Sequence, residues 1–179
     1  MKEFQILLRD VDQYGQTFQY NDQKIWLDPI KEFHIACKII NAIQAEVFIL
    51  PEEEGCLFRG RIKGKVFVPC DRCAEETEIT IDYAFDEFEE YPNDDLEVNS
   101  EEVLDDHRII FKDKNATIVD IGALLWEEFV LTLPTKPLCK KNCKGVCPTC
   151  GKNLNEGNCT CEEQGHDPRL AVLRNLKIQ

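Results

Sequence analysis

Phe58-Arg59-Gly60-Arg61-Ile62-Lys63-Gly64-Lys65-Val66-Phe67-Val68-Pro69-Cys70-Asp71-Arg72-Cys73 is the stretch on which the reading of this chain turns. Phe58, Gly60, Ile62, Gly64, Val66 and Val68 fall on one face of an extended strand, and Arg59, Arg61, Lys63, Lys65 and Phe67 on the other. Beyond the two cysteines, Thr77, Ile79, Ile81, Tyr83 and Phe85 alternate with Glu76, Glu78, Thr80, Asp82 and Ala84. Period two over two successive runs predicts a long antiparallel hairpin with Cys70 and Cys73 at its tip. If Cys70 faces Cys73, Lys65 opposes Glu78, Arg61 opposes Asp82, Ile62 opposes Ile81 and Gly60 opposes Tyr83. Cross-strand pairing favours such matches, and a one-residue slip would destroy them.

The tip pair is part of a larger count. The 179 residues hold ten cysteines, six of them between Cys139 and Cys161. The N-terminus carries an acid and lacks a signal-peptide core, and no run approaches the roughly 20 apolar residues of a membrane span. A cytoplasmic location is therefore expected, where thiols stay reduced and clustered cysteines point to metal. Zinc takes four thiolates in a tetrahedron, so eight cysteines make two sites. Cys147-Pro148-Thr149-Cys150-Gly151 is a strong knuckle: Pro148 stiffens the turn, and Gly151 permits a positive φ after the second cysteine. Cys159 and Cys161 supply its other two sulfurs. Cys70, Cys73, Cys139 and Cys143 then form a second site from distant parts of the chain. Competing arrangements put Cys143 with Cys147 and Cys150, or leave Cys70 and Cys73 idle. A zinc-linked thiol redox switch is a further alternative. Cys37 and Cys56 read as small buried hydrophobes.

Charge is unevenly spread. Residues 1–133 hold 13 basic and 30 acidic residues, whereas residues 134–179 hold 8 and 4. The stretch 74–106 has 15 acids and no lysine or arginine. Such a surface repels phosphate and attracts basic proteins; residues 92–102 read as a solvated acidic segment. Arg59, Arg61 and Lys63, with Lys140, Lys141 and Lys144 of the tail, are the candidate RNA contacts. The acidic strand beside the hairpin arginines is expected to neutralise most of that stripe.

Elsewhere, Lys2 to Val11, Lys24 to Leu27, Phe33 to Ile39 and Ala45 to Leu50 read as strands, the second stopped by Asp28-Pro29. Arg108 to Lys112 reads as a last strand. Asp120 is a helix N-cap, followed by a helix from Ile121 to Leu131 that buries Leu125 and Phe129. Asp167-Pro168 opens a closing helix, Arg169 to Lys177. The expected architecture is α+β: an antiparallel β domain with one helix over 1–133, and a Cys-rich tail with a closing helix over 134–179. The three histidines stand apart, and no nucleophile elbow, phosphate loop or acid/base pair is present. Neither an enzyme nor a small-molecule substrate is supported.

Several motifs occur in a fixed order. Val68-Pro69-Cys70-Asp71-Arg72-Cys73 closes a strand, and a helix from Asp120 containing Glu127-Glu128 runs into Leu131-Thr132-Leu133-Pro134. Cys139-Lys140-Lys141-Asn142-Cys143-Lys144-Gly145-Val146-Cys147-Pro148-Thr149-Cys150-Gly151-Lys152-Asn153-Leu154-Asn155 follows, and later Asp167-Pro168-Arg169. The set resembles the YceD family, the large ribosomal RNA subunit accumulation proteins of bacteria and plastids. Leu170 stands where the family leads one to expect an aromatic residue. The resemblance implies a role in accumulation or processing of large-subunit ribosomal RNA, and it brings no catalytic residues. The expected function is a non-enzymatic ribosome-biogenesis factor with two zinc ions, binding a basic ribosomal protein or pre-ribosomal particle, with direct RNA binding as the alternative.

Overall fold

The computed structural model describes residues 2–91, 110–113 and 116–161. Among them, seven strands form two antiparallel sheets. The first contains β1 (Gln5–Leu7), β6 (Ile110–Asp113) and β7 (Ala116–Asp120), in the order β1-β7-β6. The second contains β2 (Gln16–Tyr20), β3 (Lys38–Pro51), β4 (Gly55–Pro69) and β5 (Glu76–Glu90), in sequence order. Two helices, α1 (Lys24–Glu32) and α2 (Ile121–Thr132), complete an α+β fold. The expected closing helix and the acidic segment 92–102 lie outside the described residues, as do His107 and His166.

The hairpin is β4 and β5. Phe58, Ile62, Val66 and Val68 are buried on one strand and Thr77, Ile81 and Phe85 on the other, as the alternation predicts. The register differs from the expected one by two residues: Pro69 pairs with Glu76, Ile62 with Tyr83 and Gly60 with Phe85. The reason lies at the tip. A tight turn would set Cys70 against Cys73, but six residues, 70–75, form a knuckle instead. The Cys70 amide donates to the Glu75 carbonyl at 2.8 Å, and the Ala74 amide to the Cys70 carbonyl at 2.8 Å. A shift of two keeps every side chain on its face. The expected ion pairs therefore survive on the diagonal, Lys65–Glu78 at 2.7 Å and Arg61–Asp82 at 2.6 Å.

Three other expectations are corrected. Lys24 to Leu27 is not a strand but the first turn of α1. Ile25, Trp26, Pro29 and Ile30 are buried along one helical stripe, and the Asp22 carboxylate accepts the Lys24 amide at 3.0 Å. Pro29 forfeits one helical hydrogen bond without stopping the helix. Phe33 and His34 form a turn after α1, with His34 at φ 52, and residues 35–37 are irregular. Of the strand expected at 33–39 only Lys38 and Ile39 are extended, and they run on into the strand expected at 45–50 as one strand, β3, with register shifts between Ile39 and Gln44. At that irregularity the Gln23 side chain replaces the ladder, accepting from the Ile43 amide at 2.9 Å and donating to its carbonyl at 2.8 Å. At the N-terminus only Gln5–Leu7 is strand, flanked by single 3-10 turns. Strands β2 and β7 were not expected at all.

Asp120 ends β7 and caps α2 without an intervening loop. One carboxylate oxygen accepts the Ala123 amide at 2.9 Å and the other accepts from the Gln5 side chain at 3.0 Å, tying helix start to sheet edge. Ile121, Leu124, Leu125 and Phe129 join Ile110 and Val119 in one core with Ile43, Ile49, Phe58, Ile62, Trp26 and Phe85. Cys56 lies in that core, and Cys37 packs against it.

Glu128 enters this core, only 4% exposed, and its Oε2 has no hydrogen-bond partner among the described residues. Burial, aided by the Glu87 charge, holds its acid above the ordinary carboxylate range despite a hydrogen bond from Tyr83. A raised folded-state pKa means the native state binds the proton more tightly. The charged form thus destabilises, and stability falls as pH climbs from the unfolded value through the folded one. Glu128→Gln is expected to raise Tm at pH 7 by roughly 2–4 °C, the response to about 1 kcal/mol in a chain of this size. The gain should vanish near pH 4. An equal gain at both pH values, followed by calorimetry, would rule out this origin.

Candidate metal centres

Each Cys-x-x-Cys segment folds the same way. In the first, the Ala74 amide returns to the Cys70 carbonyl; in the second, the Gly151 amide returns to the Cys147 carbonyl at 2.9 Å. The residue after the second cysteine is left-handed in both, Ala74 at φ 60 and Gly151 at φ 73. Nothing crowds Gly151, so its requirement is conformational. Alanine in that region costs about 1–2 kcal/mol, which the knuckle hydrogen bonds offset.

The structure gathers eight of the ten cysteines into two sets: Cys70, Cys73, Cys139 and Cys143, and Cys147, Cys150, Cys159 and Cys161. Within each set all four sulfurs lie within 4.8 Å of one another. Cys70 Sγ is 3.8 Å from Cys143 Sγ, and Cys73 Sγ is 3.6 Å from Cys139 Sγ. A tetrahedron of sulfurs about 2.3 Å from a central zinc has edges of about 3.8 Å, so the spacing fits a four-thiolate ion. Cys143 is not grouped with Cys147 and Cys150. Both clusters could hold a metal ion.

The first cluster ties the hairpin tip to the tail. The Asp71 amide donates to the Pro137 carbonyl at 2.7 Å, and the Arg72 guanidinium donates to the Cys143 carbonyl at 2.9 Å. Gly145, at φ +76, passes so close to the tip that a Cβ would stand 3.1 Å from the Arg72 carbonyl oxygen. Cys70, Cys73 and Cys143 are buried with Leu138 against them, apart from the main core. The second cluster is local and more open: Cys150 is exposed and Cys159 and Cys161 are half-buried, whereas Cys139 alone is exposed in the first.

Backbone amides polarise both sites. The amide of Cys139, with those of Arg72 and Cys73, draws the Cys70 thiol down to about 6. The amides of Cys150 and Thr149 do the same for Cys147, also to about 6. The Asn155 side chain holds Cys143 below its ordinary value. Other thiols are forced the opposite way. Cys150 and Cys147, together with burial, push Cys161 up to about 12. Cys73 rises to about 12 through burial and its sulfur neighbours, although the Glu75 amide favours its thiolate. Four crowded thiols cannot all ionise alone, and a divalent cation removes that obstacle.

The candidate RNA residues separate into two groups. Arg59 is paired with Asp86 at 2.7 Å and Arg61 with Asp82 at 2.6 Å. Lys63 lies across from Asp82. Lys140, Lys141 and Lys144 are exposed around the first cluster. Sequence reasoning missed the supporting residues Arg72, Asn153 and Asn155 as such, although all three stand inside the cysteine motifs.

The family model for the large ribosomal RNA subunit accumulation protein YceD matches residues 58–177, which take in the hairpin, α2 and both cysteine clusters. This chain belongs to the YceD family. Among its relatives is the chloroplastic large ribosomal RNA subunit accumulation protein YCED homolog 1 of Arabidopsis thaliana, 26% identical over 76% of this chain and 49% of its own length. An uncharacterized protein of Mycobacterium bovis is 29% identical over 67% of this chain and 55% of its own length. The Zea mays YCED homolog 1 is 37% identical over 60 residues. The chain thus spans about half the length of the first two. No solved structure matches it. The family's name speaks of large ribosomal RNA subunit accumulation. Among the described residues, no helix is long and apolar enough to cross a membrane.

Proposed function

We propose that the protein is a non-enzymatic, cytoplasmic ribosome-biogenesis factor that supports large-subunit ribosomal RNA by holding a basic ribosomal protein or assembly intermediate. The observation that carries this reading is the pair of closed four-sulfur clusters in a YceD chain. Cys70, Cys73, Cys139 and Cys143 would hold one zinc, and Cys147, Cys150, Cys159 and Cys161 the other. Four thiolates leave no coordination position open for water, so both ions act as scaffolding. The described part of the tail, residues 134–161, is then fixed onto the hairpin tip of the 1–133 domain. The acidic partner surface is supported by the outer face of β5. On that face Lys38, Arg59, Arg61 and Lys65 pair with Glu76, Asp86, Asp82 and Glu78, so the acidic excess rests on the stretch 74–106 as a whole, which holds 15 acids and no base of its own.

The test is capture of purified basic large-subunit ribosomal proteins by the zinc-loaded chain. Binding is expected at low salt and should weaken steeply as salt screens the acidic face. A chain that captures none at low salt counts decisively against this reading. A second reading, direct RNA contact, is favoured by the unpaired exposure of Lys140, Lys141 and Lys144 beside the first cluster among the described residues. Changing all three to Glu should then abolish low-salt RNA binding, and a chain without such binding excludes it.

A further inference from the structure

The loop between Cys150 and Cys159 does more than close the second cluster. Its residues 153–155 lie against both halves of the first. Val146 and Asn153 form a β-bridge, and the Leu154 amide donates to the Gly145 carbonyl at 2.9 Å. The Asn153 side chain donates to the Glu75 carboxylate of the hairpin tip at 3.1 Å. Asn155 reaches further: its Nδ2 donates to Cys143 Sγ at 3.3 Å.

The Asn155 amide has only one workable orientation. Its two N–H bonds are taken by Cys143 Sγ and by Asn153 Oδ1 at 2.9 Å, while its Oδ1 accepts the Lys144 amide at 3.0 Å. A flipped amide would set oxygen against sulfur and N–H against N–H. Asn153 Oδ1 also accepts the Asn155 backbone amide at 3.0 Å, which fixes the turn that presents the side chain. A donor aimed at a thiolate relieves the −2 charge that four cysteines impose on a divalent ion, and such outer partners commonly change metal affinity 10–100-fold.

We infer that Asn155 is a positioning residue that couples the two metal centres, so that filling the local cluster strengthens metal binding at the clamp between tail and hairpin. This rests on the reading of both clusters as metal sites. The order follows from chain geometry. The local site closes a loop of 15 residues, from Cys147 to Cys161, whereas the clamp joins cysteines 66 and 73 residues apart. The shorter closure carries the smaller entropy loss, so the local site fills first and sets Asn155 over Cys143.

Cobalt(II) titration tests this, since thiolate-to-cobalt absorption bands report each tetrahedral site, and chelator competition gives both affinities. Asn155→Ala is expected to weaken the clamp site 10–100-fold and leave the local site unchanged, which also shows that the tail still folds. Asn155→Asp keeps the acceptor for Lys144 but turns a charge toward the sulfurs, and should weaken the clamp at least as much. Cys159→Ser/Cys161→Ser should weaken the clamp in the natural chain yet add little in the Asn155→Ala background, the non-additivity that marks coupling. Asn155→Ala with clamp affinity within twofold of the natural chain overturns the coupling alone. A natural chain that binds no cobalt tetrahedrally overturns the metal reading with it.

Discussion

Bound zinc is expected to fall from two ions per chain to one in Cys70→Ser/Cys73→Ser, with the tail released from the hairpin. The lost site is the one that bridges distant segments, Cys70 to Cys143 and Cys73 to Cys139. Closing a loop of that length costs roughly 4 kcal/mol, and structural zinc sites supply about 10–16 kcal/mol of apparent binding energy. A bound ion would therefore dominate the docking, with the Asp71–Pro137 and Arg72–Cys143 hydrogen bonds refining its geometry. Elemental analysis gives the stoichiometry, and limited proteolysis should show new cleavage between residues 134 and 146. The β core should persist, because its residues form a cluster separate from the sulfurs. Two ions in the variant, or a single ion in the natural chain, would refute the two-site arrangement.

Phe129→Ala should destabilise the chain by about 3–5 kcal/mol, the range for removing a buried aromatic ring. Phe129 is fully buried, and its ring centroid lies 5.7 Å from that of Trp126. Truncation opens a cavity beneath α2 where the helix meets the core shared by both sheets. Leu131, two residues on, is 70% exposed, and Leu131→Ala should change stability by no more than about 0.5 kcal/mol. Chemical denaturation of the two variants makes the comparison. Similar losses from both would contradict the placement of α2.

The legibility of this chain varied with the physical source of each signal. The β4–β5 hairpin was readable because both strands carry one apolar and one charged face, a pattern that only period two satisfies. The start of α2 was readable because Asp120 caps it by a local hydrogen bond. α1 was misread because Pro29 resembles a stop signal, although the stripe Ile25, Trp26, Pro29 and Ile30 has helical spacing. β2 and β7 are short and weakly alternating, and they exist as strands because β3, β1 and β6 pair with them. The two-residue change in hairpin register also had no local signal. It follows from a knuckle that needs its amides turned inward, and the faces alone cannot distinguish registers that differ by two.

The sequence by itself determined the chemistry: eight clustered thiols, a hairpin with cysteines at its tip, an acidic first part and a basic tail. Residue type and spacing suffice there, because Cys-x-x-Cys turns and alternating strands are short-range structures. Only the tertiary structure decided which pairs of cysteines meet, which basic residues are already neutralised, and that Asn155 lies against Cys143. Those are contacts between segments far apart in the chain or across a folded loop. Their distances depend on how the whole backbone is packed, and no local pattern of residues encodes them.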